Sequence, residues 1–253
     1  MHVNGIVLAG GIASDKLKTQ TNVSNEALIP ICDRPMVDYV VKALKNSGCV
    51  GQVALVGPVL ELQGVYGQNT VVVPAGETII QSLVNGLRVV EDCDYVLITS
   101  ADIPLISPAA LVDFIESCCR RGSADFYYPI VEKSLSESRY PGAQRTYVDF
   151  VEGSYTGGNI FLVRPEIIYP RIQLAERLIG LRKSPLKLCR VIGLRFIVKY
   201  LLHRLTLQEA EERFSDLLGM KGAAVICCHP EIGMDVDKPS DLELVEQVLL
   251  GLP

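Results

Sequence analysis

The chain has 253 residues, 49% apolar and 21% charged, with a formal net charge of -5. That composition excludes a disordered chain and gives enough core for one large domain, and the acidic balance argues against a nucleic-acid binder. No apolar run reaches the roughly 18 residues of a membrane span and the eight cysteines form no Cys-x-x-Cys, so no secretory leader and reduced thiols in a cytoplasmic protein are expected.

Val3 to Ala9 is an apolar run with β-branched residues stopped by Gly10-Gly11, which reads as a buried strand. Pro35 opens a helical pattern through Met36, Val37, Val40, Val41 and Leu44, closed by Gly48. Gln52 to Val56 and Thr70 to Val73 read as strands, Thr78 to Val90 as a helix, Tyr95 to Thr99 as a strand and Pro108 to Cys119 as a helix. Asp125 to Ile130 is the next strand. Tyr140 to Glu152, polar and aromatic, reads as strand and loop, and a Gly-Gly turn leads into a strand from Gly158 to Val163. Pro165 to Met220 shows no strand pattern and reads as three helices. Ala223 to Cys228 returns to the sheet, and Pro239 to Leu250 is the closing helix. Strands joined by helices predict a mostly parallel sheet covered on both faces: an α/β, three-layer α/β/α, Rossmann-like domain over 1–253 with a helical insert at about 165–220.

Six segments carry candidate chemistry. Leu8-Ala9-Gly10-Gly11 follows the first strand, where glycines let backbone N–H groups approach a phosphate; a tight structural turn is the alternative. No Gly-x-Gly-x-x-Gly or Gly-Lys-Ser/Thr is present. Asp102 lies just beyond the strand Tyr95 to Thr99, where open sheets bind ligands and a carboxylate can hold Mg²⁺ against phosphate oxygens. Asp235 and Asp237 alternate after the last strand and point to opposite sides if extended, so at most one reaches a metal shared with Asp102. Asp241 suits the first turn of the closing helix. Gly76-Glu77-Thr78 with Gln81-Ser82 starts a helix whose free N–H groups suit a base or an anion. Gly157-Gly158-Asn159 is a turn or part of a ligand wall, and Arg145 is a candidate for an acceptor phosphate.

In order and spacing, Val7 to Gly11, Ala27 to Ile31 with Arg34 to Val37, Ala101 to Leu105 and Asp235 to Leu242 resemble the MobA-like NTP transferases. These have the nucleotide-diphospho-sugar transferase fold and are relatives of the molybdenum-cofactor guanylyltransferases and the methylerythritol-phosphate cytidylyltransferases. The resemblance covers 1–164 and 222–253. It implies a nucleotidyltransferase that moves an NMP group from an NTP to a phosphorylated acceptor and releases pyrophosphate. Leu8, Ala9, Gly10 and Gly11 would wrap the triphosphate; Asp102 would hold Mg²⁺, with Asp237 second. Gly76 and Ser82 would face the base, and Gly157, Gly158 and Asn159 the acceptor. Two departures stand out. Where the family has a basic residue after the double glycine, Asp15 stands with Lys16 and Lys18 beside it; where the family has a Lys before the Leu-Leu-Pro-Ile-type segment, Glu26 stands. Either lysine could supply the missing cation, on a polar loop from Ile12 to Asn25 long enough to fold over the triphosphate, or Glu26 could salt-bridge one of them.

The insert interleaves Lys183, Lys187, Arg190, Arg195, Lys199 and Arg204 with Leu186, Leu188, Ile192, Phe196, Ile197, Leu201 and Leu202. Packing on the core or on a second copy of the chain, a basic lid over the acceptor, and contact with a membrane surface are its three readings. Two rival functions are a nucleotide-sugar glycosyltransferase, disfavoured by the single acid in Ser100-Ala101-Asp102, and a catalytically inactive nucleotide-binding regulator, suggested by Glu26.

Overall fold

The computed structural model describes residues 1–63, 66, 69–90, 92–181, 191 and 193–251. In chain order these form β1 (Val3–Leu8), α1 (Asp15–Thr21), β2 (Pro30–Ile31), β3 (Arg34–Pro35), α2 (Met36–Ser47), β4 (Val53–Gly57), α3 (Val59–Leu62), β5 (Thr70–Pro74), α4 (Ile79–Val90), β6 (Tyr95–Ser100), α5 (Pro108–Arg121), β7 (Phe126–Glu132) and α6 (Lys133–Arg139). There follow β8 (Val148–Phe150), β9 (Gly153–Gly157), β10 (Ile160–Val163), α7 (Ile172–Leu181), α8 (Leu194–Leu201), α9 (Leu207–Leu218), β11 (Gly222–Cys227) and α10 (Pro239–Leu249).

The main sheet runs β5-β4-β1-β6-β10-β7-β9-β8, with β11 also on β7. From β5 to β6 every pairing is parallel. β10 then inserts antiparallel between β6 and β7, which restores β7 and its parallel partner β11 to the first direction. β11 follows Phe126 to Val131 along one edge of β7; β10 and β9 share the other. The sheet is therefore mixed and mostly parallel, with β9 and β10 the reversed strands.

Strand alternation divides the core. Val3, Val7, Leu55, Leu97, Tyr127 and Val131 pack toward α2 and α5, while Ile6, Ala54, Val56, Val96 and Ile98 pack toward α4. Gly48 ends α2 in the left-handed conformation, at φ 66°. A third cluster joins Leu17 of α1 to Ile29, Ile31, Val236, Leu242 and Val245, fixing the closing helix against the segment after β1.

Two short helices depart from the sequence reading. α1 occupies the segment expected to be a loop, and α6 precedes the strand-and-loop segment from Tyr140. Each buries a single side chain, Leu17 or Ser136, too little for a helical period to show. β9 has no counterpart in the sequence reading and forms because β7 and β8 supply its hydrogen bonds; the expected Gly-Gly turn lies at its end, with Gly158 and Asn159 connecting to β10. α7, α8 and α9 lie between β10 and β11, where the insert was expected. Lys183, Leu186, Lys187, Leu188, Arg190 and Ile192 lie outside the described residues. Of the rest of the insert, Val198, Leu201 and Leu202 are exposed, and Lys199 pairs with Glu209. Among the described residues no helix is long and apolar enough to cross a membrane.

Candidate active site

β1 ends between β4 and β6. The Ala9 N–H donates to the Val56 carbonyl at 2.7 Å, and the Ala101 N–H to the Leu8 carbonyl at 3.1 Å. Gly10 and Gly11 follow in a confined passage: a Cβ on Gly10 would stand 2.6 Å from the Ala75 methyl, and one on Gly11 2.7 Å from a Glu26 carboxylate oxygen. Any larger residue would have to displace one of these walls. The chain then leaves through α1 and returns. Ser14 caps α1 by accepting from the Leu17 N–H and donates its own hydroxyl to the Asp237 carbonyl at 2.9 Å. On the return, the Asn25 amide donates to the Ala9 carbonyl at 3.0 Å and the Glu26 N–H to the Gly11 carbonyl at 3.1 Å. Lys16 is exposed on α1, and Lys18 lies 3.6 Å from Asp15. Among the described residues no ion pair joins Glu26 to either lysine.

β6 carries Asp102 to the mouth of this loop. The Ser100 hydroxyl donates to the Asp102 carboxylate, and the Val236 N–H donates to the Asp102 carbonyl at 2.9 Å, which ties the last acidic segment to the end of β6. One carboxylate oxygen from each of Glu26, Asp102 and Asp237 lies within 4.8 Å of the others. Burial, followed by the charges of Asp102, Asp237 and Asp235, pushes Glu26 from an ordinary 4.5 up to about 8. Burial also raises Asp102 from 3.8 to about 6; the Ser100 hydrogen bond opposes this, and Asp235 and Asp237 add to it. Asp237 is raised by burial and then by Asp235.

Asp235 is held differently. Arg145 pairs with its carboxylate, donates to its backbone carbonyl at 2.9 Å and touches the Met234 sulfur. Arg145, expected at an acceptor phosphate, is thus largely buried and engaged at the acidic segment. Asp241 is buried in the first turn of α10, as expected, and accepts from the Asp237 N–H at 3.2 Å; no side chain caps the helix at Lys238.

The remaining predicted residues line two flanks. Ser82 is buried, and its hydroxyl accepts from the Gly76 N–H at 3.0 Å. A Cβ on Gly76 would stand 2.4 Å from Gln81 Cβ, so the turn is closed upon the start of α4, and Ala75 within it touches Gly10. On the other flank the Gly158 N–H donates to the Pro129 carbonyl and the Asn159 N–H to the Ile232 carbonyl, both at 2.9 Å. The Asn159 carbonyl accepts from the Ser100 N–H at 3.3 Å, two residues before Asp102. The glycine loop, the acids and the Gly157–Asn159 segment therefore meet at one end of the sheet.

Sequence reasoning placed Asp102 and Asp237 together but missed Glu26 as the third carboxylate. The signal was its departure from the family's basic residue at that position.

Comparison with known proteins bears on the family and the fold. A family model described as a MobA-like NTP transferase domain matches residues 5–177. A hypothetical transferase from Thermus thermophilus is 34% identical over 96% of this chain and 100% of its own, with a TM-score of 0.85. Two more distant structures share the fold. A CMP:2-keto-3-deoxy-manno-octonic acid synthetase complexed with CTP is 14% identical, with 99% of each chain covered and a TM-score of 0.64. The 4-diphosphocytidyl-2C-methyl-D-erythritol synthase of Anaerococcus prevotii is 12% identical, with 98% of each chain covered and a TM-score of 0.60. No curated protein sequence matches. The fold is that of the nucleotide-diphospho-sugar transferases, and the chain belongs to the MobA-like NTP transferase family.

Proposed function

We propose that the chain transfers an NMP group from an NTP to a phosphorylated small-molecule acceptor, with Mg²⁺, releasing pyrophosphate in the cytoplasm. The convergence of Glu26, Asp102 and Asp237 beside the Gly10-Gly11 loop carries this reading. The donor set fits the ion. Mg²⁺ takes oxygen ligands, all three acids are pushed toward the neutral form by burial and neighbouring carboxylates, and the buried Arg145 is committed to Asp235. Bound there, Mg²⁺ would neutralise charge on the phosphate oxygens.

The chain's own groups position the reactants. Backbone N–H groups of Gly10 and Gly11 receive the triphosphate, and Lys16 and Lys18 on α1 supply positive charge toward the departing phosphates. The turn held by Gly76 and Ser82 frames the base, and Gly157, Gly158 and Asn159 form the acceptor wall. An acceptor phosphate oxygen bonds to the α-phosphorus as the bond to the bridging oxygen breaks, and pyrophosphate leaves. Pyrophosphate release should be assayed for each of the four NTPs against a panel of phosphorylated acceptors, with Mg²⁺ or with chelator. Release restricted to one base, requiring an acceptor and abolished by chelator, supports the reading. Absence of both release and NTP-induced thermal stabilisation across the panel overturns it.

A further inference from the structure

A cavity of about 320 Å³ lies between the sheet and α9, and none of the three clustered carboxylates lines it. One side is aromatic: Phe161 stacks between Phe126 and Tyr128, at centroid distances of 5.7 and 5.6 Å. Beside these rings in the sheet, Gly222 and Ala224 of β11, the partners of Phe126 and Tyr128, present almost no side chain, and across from them α9 contributes Ala210 and the Phe214 ring, 5.5 Å from Phe126. The α9 wall is held in place: Glu211 accepts from the Ala224 N–H at 2.7 Å and pairs with Arg121 at 2.9 Å. Glu211 is the one charged residue among those lining the cavity, and it is fully engaged. This apolar, half-open surface therefore suits an uncharged hydrocarbon.

The cavity borders the proposed acceptor site. Its wall includes Thr156 and Gly157 of β9, whose chain continues through Gly158 to Asn159, bonded to Ser100 beside Asp102. At this partition stands the Tyr128 hydroxyl, 1.6 Å from where a Gly157 Cβ would be, without a hydrogen-bond partner among the described residues. An apolar chamber thus ends in an unengaged hydroxyl next to the segment that leads to the carboxylates, an order that matches a molecule with a hydrocarbon tail and a polar head.

We propose that the cavity holds the hydrocarbon tail of an amphiphilic acceptor whose phosphate reaches the carboxylate site along residues 156–159. This rests on the nucleotidyltransferase reading above. A cavity of about 150 Å³ takes one benzene ring, so this one accommodates about twelve carbons.

The test is calorimetric titration of the full chain with n-alkyl phosphates of increasing length, n-alkanols of the same lengths and inorganic phosphate. NTP-induced thermal stabilisation is measured on the same samples. Affinity for alkyl phosphates should rise about fourfold per methylene and level off near twelve carbons. The alkanol of each length should bind more weakly than its phosphate. Filling the cavity with Ala210→Phe should abolish the length dependence and leave NTP stabilisation intact. If that variant fails to fold, Ala224→Leu fills it from the opposite wall, and the levelling-off in the wild type needs no variant. No length dependence in the wild type, or an unchanged one in a folded filling variant, overturns the proposal. Equal affinity for alkanols and alkyl phosphates refutes the link to the acceptor. Loss of NTP stabilisation with the length dependence intact removes the transferase reading and leaves a hydrocarbon site.

Discussion

Glu26→Gln removes the most strongly perturbed carboxylate of the site while keeping its shape. Glu26 titrates near 8 in the folded chain against an ordinary 4.5, so between these pH values the folded state holds a proton that the unfolded state has released. Stability from this group is therefore present at low pH and lost as pH rises from 4.5 toward 8. At 1.36 kcal/mol per pH unit, ionising Glu26 in the fold costs at most about 5 kcal/mol; water reaching this half-buried group reduces that to about 2 kcal/mol. Without divalent ions, Glu26→Gln should stabilise the protein by about 2 kcal/mol at pH 9, about 4 to 8 °C in Tm for a chain of this length, and by under about 1 kcal/mol at pH 5. Calorimetric melts at the two pH values measure the difference. Adding Mg²⁺ at pH 9 should raise the Tm of the wild type more than that of the variant. Equal melting of the two proteins at pH 9, or a less stable variant there, would refute the assignment of Glu26 to a repelling carboxylate cluster.

Asp102→Ala should lower Mg²⁺-dependent turnover by at least about a thousandfold while circular dichroism and Tm remain near wild type. Turnover at the wild-type rate would mean that Asp102 is not the principal ligand. Asp235→Ala and Asp237→Ala should separate the two acids in opposite assays. The former leaves Arg145 buried without its partner and should cost about 3 kcal/mol of stability in a denaturant titration, whereas the latter should mainly raise the Mg²⁺ concentration needed for half-maximal turnover. Neutralising Lys16 and Lys18 together should raise the Kd for NTP about tenfold, as expected for one exposed and one half-buried cation near a polyanion, and less at high salt; an unchanged Kd would remove α1 from the triphosphate site.

Much of the fold was legible because its strongest signals are local. β1, β4 and β6 are short apolar runs bounded by turn residues, and Asp102 follows from the rule that ligands bind beyond the carboxyl ends of parallel strands. What escaped is what the sheet decides. β9, Gly-Ser-Tyr-Thr-Gly, has no strand pattern of its own and becomes one because β7 offers a free edge beyond β10. The partnership of Arg145 with Asp235 and the approach of Glu26 to Asp102 and Asp237 join segments far apart in the chain, and nothing in the local sequence encodes either distance. Alternation separated Asp235 from Asp237, yet their segment is irregular backbone, and Asp235 still acts electrostatically on both Asp102 and Asp237.

In the proposed function, Glu26, Asp102 and Asp237 hold one divalent ion at an NTP site. Electron paramagnetic resonance of Mn²⁺ titrated into the protein with a non-hydrolysable NTP tests it most directly. One tightly bound Mn²⁺ per chain is expected, competed away by Mg²⁺, with its affinity reduced by Glu26→Gln and lost in Asp102→Asn. Equal Mn²⁺ binding by the wild type and Asp102→Asn would contradict it.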